Sequence, residues 1–142
     1  MNSTATDVLE LIVGTITPTQ IPVYEGIAPQ GAKYPYVVAE LVGAIPAYSL
    51  GGDSGIRIDS WVVRITFYDN HRAASDQVRE LDQMIGQLLE PQFNVVKNQT
   101  VIMNADRGTT IGPAWLSHEN YWMLSTQWHI RATANGTFPP ES

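Results

Sequence analysis

Arg57-Ile58-Asp59-Ser60-Trp61-Val62-Val63-Arg64-Ile65-Thr66-Phe67-Tyr68 repeats with a period of two. Trp61, Val63, Ile65 and Phe67 fall on one side of an extended chain and Val62, Arg64, Thr66 and Tyr68 on the other, as side chains do along a pleated strand. Beyond the polar corner Asp69-Asn70-His71 the period changes. Ala74, Val78, Leu81, Ile85 and Leu88 recur at intervals of four and three, the spacing of one apolar helical stripe. Pro91 stops that helix, because its ring cannot follow a helical residue and its nitrogen donates no hydrogen bond. A strand, a corner and a helix therefore form the best-specified unit of the chain, and it is a packing unit without an evident reactive group.

With 142 residues, of which 44% are hydrophobic, the chain is expected to form one domain over residues 1–134 with a loose tail at 135–142. Eight Lys and Arg against 14 Asp and Glu give a formal charge of −6, and the basic residues are scattered singly. No basic patch offers itself to a run of phosphates, so specific nucleic-acid binding is not expected. The absence of cysteine excludes disulfides, thiolate metal sites and a cysteine nucleophile. No apolar run approaches the roughly 18–20 residues of a membrane helix, and the first residues lack the pattern of a secretory signal. The expectation is a protein made and assembled in the cytoplasm, without membrane partners or cofactors.

Ser3 or Thr4 can cap a first helix, in which Ala5, Val8, Leu9, Ile12 and Ile16 share a face and Asp7 sits near the positive end of the helix dipole. Gly14 and Pro18 are read as its close. A short extended piece at Ile21–Tyr24, a Gly/Pro loop and a strand from Tyr36 to Ala44 follow. Ile45 to Ile56 and Asn104 to Ser117 read as long irregular loops, of a length that usually carries function. Between them lie a hairpin, Phe93–Val96 with Thr100–Met103, and after them a closing strand, Tyr121–Ala132. This order predicts an α+β fold: a mainly antiparallel sheet with two helices packed on one face.

Candidate chemistry is sparse. Gly52-Asp53-Ser54-Gly55 looks like the peptide around a serine-protease nucleophile, but no histidine precedes Ser54, and the triad of that fold requires one. His71, His118 and His129 stand singly, without the close pairing that announces a metal site. Neither catalytic nor metal-binding residues are expected; a small hydrolase or ligand-binding domain built on Asp53-Ser54, His71 and His118 is the reading kept against this one. Asp76, Glu80 and Asp82 are read as the solvent side of the second helix, within reach of Arg72 and Arg79. Among the aromatics, Trp61, Phe67, Trp122 and Trp128 fit a core. Tyr48 and Trp115, set in the long loops, are placed to anchor a partner or to fold back over the sheet.

The layout resembles tail terminator or tail completion proteins of long-tailed bacteriophages. The likeness rests on an N-terminal helix, Tyr34-Pro35-Tyr36-Val37-Val38 opening a strand, Asp59-Ser60-Trp61-Val62-Val63-Arg64-Ile65-Thr66-Phe67-Tyr68 leading through a polar corner into the helix of residues 73–89, and the final strand. It implies a virion subunit that forms a hexameric ring on the head-proximal end of the tail tube, stops tube growth and receives the head connector. Its partners would be copies of itself, the tail tube protein and the head–tail connector protein, with DNA passing through the ring unbound. The candidates for subunit or partner contacts are Tyr48, Leu50, Asp53, Arg107 and Trp115, and Glu40 is a candidate for the lumen. A head completion or connector protein of the neck is the alternative within the same virion.

Overall fold

The alternating stretch becomes the middle of a six-stranded sheet. The computed structural model describes residues 4–50, 56–71, 75–97 and 100–133. In chain order they form α1 (Thr4–Ile16), a 3-10 turn at Thr17–Thr19, β1 (Val23–Glu25), β2 (Tyr36–Leu50), β3 (Ile56–Asp69), α2 (Ser75–Leu89), β4 (Phe93–Lys97), β5 (Thr100–Leu116) and β6 (Tyr121–Thr133). The strands lie in the order β1-β2-β3-β6-β5-β4. Every pairing is antiparallel except β1 with β2, which is parallel. The fold is α+β, as expected. No helix of the described residues is long and apolar enough to cross a membrane.

One face of the sheet meets both helices. Val37, Ala39, Val63, Ile65, Phe67, Leu124, Trp128, Ile130 and Ala132 alternate onto it, and Val8, Ile12 and Ile16 from α1 with Val78, Ile85 and Leu89 from α2 close over them. Burial of this apolar surface, worth about 25 cal/mol for each Å² removed from water, is the main drive to the fold. α1 touches all six strands and also α2. Its Asp7, expected only to favour the helix dipole, is buried and accepts a hydrogen bond of 2.6 Å from the Thr100 hydroxyl at the start of β5. Gly14 lies inside α1, which continues to Ile16 before the 3-10 turn.

Three expectations are corrected. Ile45 to Leu50 is not irregular: β2 runs on to Leu50, paired against β3 from Ile56, and residues 51–55 of the expected loop lie outside the described residues. Asn104 to Ser117 is likewise strand as far as Leu116. In both, bulges break the period of two that a sequence reading relies on: between Leu41 and Gly43 and between Pro46 and Tyr48 in β2, and at three places in β5. Each bulge adds one residue to one strand only, so the polarity pattern slips out of phase while the ladder continues. Pro46 and Pro113 fit because the outer sides of these lengths pair with no strand among the described residues.

The third correction concerns α2. Its buried stripe is Val78, Asp82, Ile85, Gly86 and Leu89, whereas Leu88 is 38% exposed. Asp82, expected on the solvent side, points into the protein. Asp76 does remain outside, paired with Arg79 at 3.9 Å.

Candidate assembly surface

The second face of the sheet has no helix over it. Val38 and Glu40 of β2, Val62, Arg64, Thr66 and Tyr68 of β3, and Met123, Ser125, Gln127 and His129 of β6 alternate onto it, opposite the core residues. Val38, Val62, Thr66 and Ser125 are buried there all the same, at 7%, 9%, 5% and 8% exposure. Longer side chains around them and the turn at Gly26–Ala28 shield these residues, and the curled face holds two adjoining clefts. One, of about 250 Å³, is lined by residues that include Glu40, Arg64, Ile111 and Met123; the other, of about 200 Å³, reaches to Tyr36 and the turn at Gly26–Ala28.

At the middle of this face Arg64 donates to Glu40 at 3.1 Å, both side chains being about two-fifths exposed. Such a pair contributes between nothing and about 1 kcal/mol, but it fixes both heads and cancels their charges. Glu40, the lumen candidate, is thus on the uncovered face and bound to a cation. Beside it the Thr66 and Ser125 hydroxyls share a hydrogen bond of 3.2 Å between β3 and β6. Apolar side chains stand exposed nearby: Val42 at 49% and Ile111 at 61%.

Where β2 begins and β3 ends, tyrosines gather. The Tyr36 and Tyr68 rings stack at 5.0 Å, Tyr34 lies 5.1 Å from Tyr36, Tyr121 meets Tyr68 edge-on at 5.2 Å, and Tyr24 meets Tyr36 edge-on at 5.9 Å. Burial, with the neighbouring phenols adding to it, pushes the Tyr36 hydroxyl up from 10.0 to about 12. Burial does the same in direction to Tyr68 and Tyr121. This cluster was missed by sequence reading, because its members come from four separate segments and only the strand pairing brings them together.

Arg107 is drawn inward. Its guanidinium pairs with the buried Asp82 carboxylate, which also accepts a 2.8 Å hydrogen bond from the Thr126 hydroxyl. Thr110 completes the set, 3.3 Å from the Arg107 guanidinium and 3.1 Å from Thr126. The same guanidinium lies 6.0 Å over the Trp128 ring. Gly86 makes room for it: a Cβ there would stand 3.1 Å from Arg107 Nη1. Arg107 therefore clasps α2 to β5 across a bulge, and the clasp occupies the charge that a partner would otherwise meet.

The other candidates are dispersed. Trp115 lies half-buried on the helix-side parity of β5, edge-on to Trp122 at 5.6 Å. Tyr48 and Leu50 enter the ladder opposite Ile58 and Ile56, while their side chains, and Asp53 altogether, lie outside the described residues. His71 follows β3 and donates its backbone N–H to Asp69 at 3.1 Å, and His118 lies in the turn after β5 at the same end of the sheet. Ser54, also outside the described residues, precedes Ile56, at the far end of the 14-residue strand β3. At about 3.3 Å per residue that strand holds the two ends more than 40 Å apart. Among the described residues no group of His, Asp and Glu is arranged to hold a metal ion.

No protein-family model matches the chain, and no curated protein matches it in sequence. Among solved structures it is similar to a chain of the virion of a native gene transfer agent particle, with a TM-score of 0.52 and 16% identity over 91% of this chain and 85% of that one. At that identity the likeness is one of fold, and it extends over nearly the whole of both chains.

Proposed function

We propose that this chain is a structural, non-catalytic protein of a phage-like virion. About six copies form a ring on the head-proximal end of the tail tube, end its growth and give the head connector its attachment surface. The observation that carries this reading is the fold shared with a virion chain over almost its full length. The curled face lends support: it is uncovered, holds clefts, and exposes Val42 and Ile111 beside a neutralised ion pair. Apolar residues grouped on a concave face suit contact with another protein better than contact with water. The net charge of −6 suits a ring through which DNA slides without sticking. The wide separation of Ile56 from His71 and His118 argues against the hydrolase reading.

Light scattering of the chain, alone and mixed with tail tube protein, should reveal a ring or a capped tube of fixed length. A chain that stays monomeric at high concentration and leaves tube length unaltered would overturn the proposal. Electron microscopy of the mixture distinguishes the tail end from the neck: rings seated on head connectors and never on tubes would move the protein to the head-completion role.

A further inference from the structure

The tyrosine cluster borders a cleft whose lining suggests its occupant. Tyr36, Val38, Thr66 and Tyr68 form its floor, and the Gly26–Ala28 turn forms a wall on which Ile27 is 83% exposed. Half-buried tyrosine rings suit a polyproline II segment. Such a segment inserts proline rings between aromatic rings and turns its unbonded carbonyls towards donors, and its preset conformation leaves little entropy to lose.

The sequence contains one Pro-Pro pair, in Thr137-Phe138-Pro139-Pro140, shortly after the last strand. We infer that Phe138-Pro139-Pro140 of one copy docks in the tyrosine-lined cleft of a second copy. Distance rules out docking within one copy. Tyr36 and Tyr68, which line the cleft, lie level with Met123, ten residues before Thr133 on β6, so the tyrosine end of the cleft and the end of the strand stand about 33 Å apart. Pro140 comes seven residues after Thr133 and reaches at most about 25 Å from it. Each copy therefore receives at one end of β6 and gives at the other. A contact between two different patches of the same chain is heterologous, and it closes into a ring when the rotation allows. The inference deepens the ring-subunit reading and rests on it for closure, whereas the contact itself can be tested without the tube.

The test uses the full chain, a Pro139→Ala/Pro140→Ala double variant whose changes lie beyond the last strand, and a fluorescent peptide of residues 134–142. The peptide should bind the double variant and perturb Ile27, Tyr36 and Tyr68 in NMR spectra. An Ile27→Asp change in the cleft wall should weaken that binding about tenfold, and self-association of the double variant should be weaker than wild type by a similar factor. Absence of peptide binding at millimolar concentration, or self-association equal to wild type, overturns the inference. Equal binding of an unrelated Pro-Pro peptide would assign the cleft to another protein and also overturn it. Rings of the double variant that still cap tubes would remove this contact and leave the ring-cap reading standing.

Discussion

Asp82 shows how much one buried carboxylate can organise. It holds Arg107 and Thr126 at once, and so ties α2 to the two strands beneath it. Asp82→Ala removes both bonds, while the Arg107 side chain left behind is 31% exposed and can still reach water. The change should therefore lower stability by about 1–3 kcal/mol, the range for hydrogen bonds to a charged group, read as a fall in the denaturant midpoint at unchanged slope. An unchanged midpoint would mean that the clasp contributes nothing. Tyr36 gives a residue-level pH dependence. Its hydroxyl titrates near 10.0 in the unfolded chain and at about 12 in the fold, so between those values the unfolded chain binds fewer protons. Stability is then full below about pH 10 and declines as the pH rises to about 12, the direction required when the folded value is the higher one. Tyr36→Phe should flatten that decline in alkaline unfolding curves; an identical slope would refute the assignment.

At the scale of elements, α2 separates two readings of one stripe. The spacing 74, 78, 81, 85, 88 and the spacing 78, 82, 85, 89 share Val78 and Ile85, and the polar Asp82 makes the first look better from sequence alone. The fold selects the second. Leu89→Ala should accordingly cost about 2–5 kcal/mol, as large-to-small changes in a core do, and Leu88→Ala less than about 1 kcal/mol. Thermal or chemical denaturation of the two variants decides it, and equal losses would contradict the burial seen here. The strands were legible where pairing was regular: Trp61 to Phe67 and Leu124 to Ala132 alternate without interruption, and their core faces follow from that alone. They were illegible where bulges intervene, as around Gly108 and Gly112-Pro113 in β5. A ladder tolerates an extra residue on one strand, but a period read from one strand does not. The tyrosine cluster had no signal of this kind, since proximity across β1, β2, β3 and β6 is a property of strand order.

For the whole molecule, the two faces of the sheet divide the work. The helix-covered face holds the core, and the uncovered face is the one proposed to meet other chains. Val42→Asp and Ile111→Asp alter exposed positions, so each should leave the unfolding free energy within about 0.5 kcal/mol of wild type. If that face mediates assembly, the same changes should abolish ring formation and tube capping in light scattering and electron microscopy. Normal assembly by both variants would exclude the face as a contact surface.

α1 reaches across this sheet from β1 at one margin to Thr100 and β4 at the other. A beam laid across a curved panel resists splaying, because tension at either rim is borne along its length. If subunits braced in this way make up an annulus, any widening for passing cargo must come from slippage at the joints between them, not from bending within each one.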